Sequence, residues 1–338
     1  MEKYGADKRI FDEAAQFPDL RLCRVLSQSK DLYKLTDGQN EFLAEVSGRF
    51  RYAAARLSDY PAVGDFVLAD GTDPGGSAVI HRVLPRKSAF ERRAVGMDGE
   101  TQVVAANIDI VFICMALGSN YNSSRLERYL SVAWSSGATP VVVLTKSDLG
   151  DDLPAVLAAV SAIAPGTDVV LTSGFDPASC DKLLPYLGPG VTASFIGSSG
   201  VGKSTLINRL AGAELLATSA VRQDGKGRHT TTRRELILLP QGGIVIDTPG
   251  MRELGAEAVD LARSFADIDA LADRCRFRDC THTSEPDCAV RRSAETGELD
   301  PRRLESYLKL RQEARYDGLS ARQIEARRSP PCSAARAS

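Results

Sequence analysis

The sequence predicts three units in series: an N-terminal all-β barrel of OB-fold type, a central α/β sheet, and a C-terminal helical unit around a Cys/His knot. Three observations predict this. Residues 20–84 carry short apolar runs cut by turn residues. Residues 105–255 alternate apolar runs with helix-like stretches. Three of the seven cysteines crowd into Cys275–Cys288 beside His282.

The barrel comes first. Apolar runs lie at Leu20–Leu26, Asp31–Leu35, Glu41–Val46, Asp65–Leu68 and Ala78–Leu84. Turn chemistry separates them at Asp37-Gly38, Ser47-Gly48, Asp59-Tyr60-Pro61 and Asp73-Pro74-Gly75-Gly76. Strands this short and this closely spaced suit a small closed barrel. A basic connector follows, from Arg86-Lys87 through Arg92-Arg93.

In the central unit, Ile108–Met115, Pro140–Leu144, Asp168–Leu171, Thr192–Ile196, Leu236–Leu239 and Ile244–Ile246 read as strands. Ser124–Ser135, Pro154–Ile163, Cys180–Leu187 and Lys203–Leu210 read as helices. The expected boundaries are 1–90 for the barrel, 91–255 for the α/β unit, 256–325 for the helical unit and 326–338 for a disordered tail rich in small residues and Ser-Pro-Pro.

Composition narrows the classes. Formal charge is -2, so any nucleic-acid surface must be local. The N-terminus has no apolar signal core, and no apolar run approaches the roughly 20 residues of a membrane span. The scattered cysteines suit free thiols in a reducing cytoplasm. The lack of heptads suggests a monomer.

Gly197-Ser198-Ser199-Gly200-Val201-Gly202-Lys203-Ser204-Thr205 follows a strand and opens a helix. This is a phosphate loop: glycines let backbone N–H groups wrap phosphates, Lys203 reaches the β/γ oxygens, and the Ser204 hydroxyl suits magnesium. The helix start turns its positive end toward the same phosphates. Downstream, Asp247-Thr-Pro-Gly250 ends an apolar strand. Asp247 there suits the magnesium shell and Gly250 a γ-phosphate contact. Between the two, Gly227-Arg-His-Thr-Thr-Thr-Arg233 offers Thr231 and Thr232 as hydroxyls that triphosphate could order; a solvated, Thr-rich basic loop is the alternative.

Thr145-Lys146-Ser147-Asp148 also ends a strand, but upstream of the phosphate loop. Asp148 could accept both guanine N1–H and N2–H, a pairing adenine cannot return. Lys146 could lie along the base, and Ser173 could add a base-edge contact. The inverted order costs the sheet nothing, because these loops all lie at strand C-terminal ends. A P-loop ATPase is disfavoured only by Lys146, Asp148 and Ser173.

Cys275-x4-Cys280-x-His282-x5-Cys288 provides a closed three-thiolate, one-imidazole set, which fits structural rather than catalytic Zn²⁺. Basic stretches at Arg86–Arg93, Arg222–Arg234 and Arg302-Arg303 are candidate RNA contacts or solvated faces.

These residues, with Ala62-Val-Gly-Asp65, Gln102-Val-Val-Ala-Ala-Asn107 and Leu126-Glu-Arg-Tyr-Leu130, resemble the RsgA (YjeQ) family of circularly permuted GTPases over nearly the whole chain. The resemblance implies an OB-fold, a permuted GTPase unit and a zinc unit. It also implies late maturation of the 30S subunit, contact with 16S rRNA, and GTP hydrolysis stimulated by the subunit. Three positions depart from the family pattern: Thr145 for asparagine, which should weaken one base contact, Gly174 for alanine, and Met251 for phenylalanine. Ras-like enzymes orient the attacking water with a glutamine after DxxG, a position held here by Met251, which cannot hydrogen-bond. His229 is the candidate replacement, and the resemblance implies that role; contact with rRNA is the competing use. A second overall reading is an OB/zinc rRNA-binding assembly factor for which nucleotide is only a structural ligand.

Overall fold

A computed structural model describes residues 1–71, 77–93, 100–118, 122–150, 152–176, 178–198, 200–216, 235–247, 265–277, 279–301, 303–305, 307–308 and 311. The expected disordered tail, the basic stretch Arg222–Arg234 and Met251 lie outside them.

The chain opens with helix α1 (Lys8–Ala14), which starts where the Asp7 carboxylate accepts the Ile10 amide at 3.0 Å. Ile10 anchors it under the barrel with Phe66, Leu68 and Leu84. The barrel strands are β1 (Arg21–Ser29), β2 (Leu32–Thr36), β3 (Glu41–Val46), β4 (Phe66–Asp70) and β5 (Ala78–Val83), with helix α2 (Gly48–Ala53) between β3 and β4. They pair in the order β1-β2-β3-β5-β4, and β4 returns to β1, so the five-strand barrel is closed. Register shifts at Val25/Ser27 and Leu68/Ala69 mark bulges that let short strands bend round the closure. Cys23, Val25, Tyr33, Leu35, Val67 and Ile80 fill the interior.

Strands β6 (Ala89–Arg93) and β7 (Thr101–Ala106) form an antiparallel hairpin where the sequence suggests a basic connector. Burial of Phe90, Val103 and Val104 explains the strands. Arg86 is not a free patch residue: Nε and Nη2 fork onto the Asp65 carboxylate at 2.8 and 2.7 Å, and Nη1 donates to Ser58 O. Lys87 pairs with Asp109 at 2.5 Å.

The α/β unit adds β8 (Ile110–Ala116), α3 (Ser123–Ser136), β9 (Thr139–Thr145), α4 (Leu153–Ile163), β10 (Val169–Leu171), α5 (Ala178–Asp181), β11 (Thr192–Ile196), α6 (Lys203–Ala211), β12 (Glu235–Leu238) and β13 (Ile244–Asp247). The expected helix Cys180–Leu187 is instead α5 followed by the 3-10 turn Leu184–Tyr186, where Pro185 removes a helical donor. The strand order is β10-β9-β8-β11-β13-β12, parallel except for β12. Strands β8 and β11 are buried almost throughout, as expected of central strands covered on both faces. Helices α3 and α4 cover one face and α5 and α6 the other. The chain starts at β8, winds outward to β10, then returns to β11 beside β8. That reversal makes the β8/β11 crevice a topological switch point.

The barrel and the sheet are sewn together. Ser27 of β1 pairs with Glu235 of β12. Arg24, wholly buried, donates to the carbonyls of Tyr4, Gly64 and Asn107 and to Thr192 Oγ1, with its guanidinium 4.8 Å from the Phe66 ring centre. Gly64 lies at φ +91, where an added Cβ would stand 2.3 Å from Ala106 O. The motifs Ala62–Asp65 and Gln102–Asn107 therefore meet at one seam, joined also by Ala106 N to Val63 O at 2.9 Å.

The C-terminal unit contains α7 (Ala266–Ala272) and α8 (Ala289–Thr296) over a small core of Phe265, Ile268, Val290, Leu299, Leu304 and Tyr307. Among the described residues no helix is long and apolar enough to cross a membrane.

Candidate nucleotide site and metal centre

The C-terminal ends of β8, β9, β10, β11 and β13 converge on one edge of the sheet, and the motifs sit there. Gly197 leaves β11 at φ +143, and a Cβ on it would meet Cys114 O of β8 at 2.3 Å. Only glycine lets the loop pass so close to the neighbouring strand. Gly202, at φ +103, forms the N-cap of α6 without any side-chain cap. The first amides of α6 thus stay directed into the loop.

Lys203 is buried, and its ammonium donates to Gly197 O at 2.6 Å and Ser198 O at 2.7 Å, inside the curve of the loop. Ser204 and Thr205 occupy the first turn of α6, Ser204 half-buried and Thr205 exposed. Gly200 sits at φ +76 on the loop, and Val201 packs into the core beneath it. Asp247 ends β13, the strand bonded to β11, and is half-buried. Burial pushes the Cys114 thiol up to about 12, against the pull of Lys203, so it is an inert packing group.

The Thr145–Asp148 segment lies across β8 from this loop. Thr145 does not face outward: it is buried, and Oγ1 donates to Val201 O at 2.6 Å and Met115 O at 3.4 Å. Its hydroxyl fastens the Gly197–Gly202 loop from the position where the family pattern has asparagine. Lys146 adopts φ +55, a conformation that costs a non-glycine residue about 1–3 kcal/mol and concentrates at functional sites. Asp148 is exposed and accepts from Ser173 Oγ at 2.5 Å. Ser173 is itself held by the Ser179 hydroxyl, which accepts its amide at 2.9 Å. Gly174 faces open space, so the alanine of the family pattern would fit equally. Arg209 of α6 ties this loop down through Gly174 O at 3.0 Å.

One residue here escaped the sequence reading. Arg125, in the first turn of α3, donates to Ser198 Oγ at 2.9 Å. Nothing in the local sequence marks it, because the contact exists only once β8 and β11 are neighbours.

In the C-terminal unit, the ligand atoms of Cys275, Cys280, His282 and Cys288 all lie within 4.8 Å of one another. Cys275 Sγ is 3.8 Å from Cys288 Sγ, and His282 Nδ1 is 3.7 and 3.4 Å from those sulfurs. Tetrahedral ligands about 2.3 Å from a zinc ion would stand about 3.8 Å apart, so the cage has the size of the ion. Cys288 caps α8, accepting the Arg291 amide at 3.5 Å. Glu285 accepts from the Thr281, Thr283 and Ser284 amides and the Thr281 hydroxyl; these bonds hold its carboxyl down to about 2 and shape the loop between ligands.

The family model for the RsgA GTPase matches residues 83–257. A "Small ribosomal subunit biogenesis GTPase RsgA 2" of Lactiplantibacillus plantarum is 48% identical over 326 residues, spanning 96% of this chain and 92% of the relative. This chain belongs to the RsgA GTPase family. A further relative, the "Small ribosomal subunit biogenesis GTPase RsgA" of Opitutus terrae, is 45% identical over 314 residues, 89% of this chain and 85% of its own. Among solved structures, YjeQ from Thermotoga maritima superposes with a TM-score of 0.64 at 28% identity, covering 87% of this chain and 98% of that one. YloQ, a circularly permuted GTPase, superposes with a TM-score of 0.60 at 23% identity over 88% and 95% of the two chains, and shares the fold.

In this RsgA GTPase the Thr145–Asp148 segment follows β9 and the Gly197–Ser204 loop comes later, after β11, which is the permuted order. Ser199, His229, Thr231, Thr232 and Gly250 lie outside the described residues.

Proposed function

We propose that this RsgA GTPase family member hydrolyses GTP to GDP and phosphate as a late maturation or checkpoint factor of the small ribosomal subunit. The observation that carries this reading is the meeting of the two loops on one sheet edge, bonded through Thr145 and Val201. Asp148 and Ser173 would read the guanine edge, with the Lys146 stem along the base. Backbone amides of Gly197–Gly202 and the Lys203 ammonium would take the phosphates, Lys203 exchanging its two carbonyl partners for phosphate oxygens. Ser204 and Asp247 would hold Mg²⁺, which when bound neutralises charge on the phosphates. Thr231, Thr232 and Gly250 would contact the γ-phosphate side, and His229 would orient the attacking water in place of the glutamine that Met251 replaces.

Cys275, Cys280, His282 and Cys288 would hold one structural Zn²⁺, which the small core of the C-terminal unit needs for its stability. The partners would be the 30S subunit and its 16S rRNA, met in the cytoplasm by a monomer. The barrel (1–90), GTPase unit (91–255) and zinc unit (256–325) would divide the work between RNA contact, turnover and docking. The binding-factor reading, with nucleotide as a structural ligand, is the weaker one, because the chain keeps Lys203 and Ser204 at the start of α6 and Asp247 at the end of β13.

The test is multiple-turnover hydrolysis of GTP and ATP with and without purified 30S subunits. Slow GTP turnover, on the order of 10⁻²–10⁻⁴ s⁻¹ alone and faster with subunits, is expected. Turnover of neither nucleotide above background, or ATP preferred, would overturn the reading. Loss of the stimulated rate in His229→Ala, with GDP affinity kept, would support its role; a near wild-type stimulated rate would remove it.

A further inference from the structure

Two contacts leave the start of α3 in different directions. The Arg125 guanidinium reaches Ser198 Oγ in the phosphate loop at 2.9 Å. Glu127, on the same helix, accepts from Arg303 Nη1 of the C-terminal unit at 2.8 Å. Residues two apart on a helix point roughly 200° apart, so the two grips come from nearly opposite sides. The start of the helix is fixed as well, because the Asn122 side chain accepts the Arg125 amide at 2.9 Å.

The second grip is buried. The Glu127 side chain is 3% exposed and that of Arg303 10%. Arg303 also clamps Asp267 of α7 with Nε at 2.7 Å and Nη2 at 2.8 Å, its guanidinium 4.9 Å from the Phe265 ring centre. Arg303, which the sequence groups into a basic RNA patch, is thus committed inside the protein. Burial this deep makes it costly to withdraw the Arg303 charge from the Glu127 carboxylate, so the pair either holds or breaks as a discrete event. A rigid helix held at both contacts transmits such an event rather than absorbing it.

We propose that α3 is a lever by which the C-terminal unit sets the phosphate loop. Arg125 is a positioning residue for Ser198, and the Glu127–Arg303 pair sets where Arg125 stands. This rests on the reading of the loop as the phosphate site. The coupling is reciprocal: whatever strains the C-terminal unit on its partner alters the grip on nucleotide, and nucleotide alters the docking of that unit.

The test measures fluorescent GDP affinity in full-length protein as purified, with circular dichroism to check folding. Arg125→Met and Ser198→Ala should each weaken GDP about five- to tenfold, the loss of one charge-assisted hydrogen bond, and should not add to each other. Arg125→Lys, which keeps a donor, should recover part of the loss. Glu127→Gln and Arg303→Met, remote from the nucleotide, should weaken GDP about threefold in the wild-type background and have no further effect in Arg125→Met. Unchanged GDP affinity in Glu127→Gln, or the same loss persisting beside Arg125→Met, would overturn the lever. If Arg303→Met does not fold, the isosteric Glu127→Gln carries the test. Lys203→Ala separates the two levels of the argument. GDP lost there but unaffected by Glu127→Gln sinks the lever alone, whereas GDP retained by Lys203→Ala sinks the phosphate-loop reading beneath it.

Discussion

The Thr145 hydroxyl donates to the main-chain oxygen of Val201 at 2.6 Å, a buried bond between the loop that follows β9 and the glycine-rich loop that follows β11. Thr145→Val keeps the shape and removes the donor, leaving Val201 O unsatisfied at a cost of about 1–3 kcal/mol. Nucleotide affinity should fall on the order of tenfold, equally for guanosine and inosine diphosphates, since the bond fixes the loop and not the base. A loss confined to guanosine, read by competition titration, would return Thr145 to the base edge.

Gly197 and Gly202 should respond differently to alanine. At Gly197 the new Cβ would stand 2.3 Å from Cys114 O, in the backbone of a central strand that cannot yield. At Gly202 nothing lies within 4 Å, so only the positive φ of +103 is penalised, by about 1–2 kcal/mol. Gly197→Ala should abolish nucleotide binding, while Gly202→Ala should reduce it measurably and leave a folded, binding protein. Isothermal titration with GDP distinguishes them.

Asp148 accepts from Ser173 and has its remaining lone pairs for a base edge. Asn at this position presents one acceptor and one donor, which matches xanthine, whose C2 carries an oxygen. Asp148→Asn should lower GDP affinity by about two orders of magnitude and raise that for xanthosine diphosphate. Equal losses for both nucleotides would show that Asp148 is not the base reader.

The cluster of Cys275, Cys280, His282 and Cys288 predicts a folding dependence. Removing zinc with a chelator, or Cys288→Ser, should release protection from hydrogen exchange across 265–311 and leave the barrel protected, because structural zinc contributes about 10–16 kcal/mol in small units. Elemental analysis near one zinc per chain is expected. A chelated protein with an unchanged exchange pattern would contradict the site.

Asp267 gives a pH dependence with a defined sign. Burial pushes its carboxyl up, but the hydrogen bonds and charge of Arg303 outweigh burial and hold it below its ordinary value. A depressed carboxylate stabilises fully above its unfolded value of about 3.9, and the contribution is lost as pH falls through the lower folded value. Wild type should therefore exceed Asp267→Asn in resistance of the C-terminal unit to proteolysis from pH 7 down to about 4. The difference should close below that. A difference that instead grows on acidification would show that the Arg303 pair does not stabilise.

Much of this was legible in the residues because it is local. The barrel strands follow from alternation and turn residues within a few positions of each other. The tight turn at Gly197–Gly202 follows from glycine spacing, and the gathering of Cys275, Cys280, His282 and Cys288 from cysteine spacing. The β6–β7 hairpin was not legible: its apolar positions, Phe90 and Val103, are interleaved with charges that read as a basic connector. Arg86 and Arg303 failed for a related reason. Their acidic partners, Asp65, Glu127 and Asp267, are remote in sequence, so a run of basic residues looked solvated when it was neutralised inside.

The sequence by itself determined which chemistries the chain can hold, because glycine, lysine, serine, aspartate and cysteine at fixed spacing have few alternative uses. Tertiary structure alone decided which of those groups are neighbours. The return of β11 beside β8 brings Thr145 to Val201 and Arg125 to Ser198. The packing of the C-terminal unit on α3 brings Arg303 to Glu127. Hydrogen bonds act only over a few ångströms, so contacts between distant segments depend on the order of strands in the sheet and the docking of helices upon it.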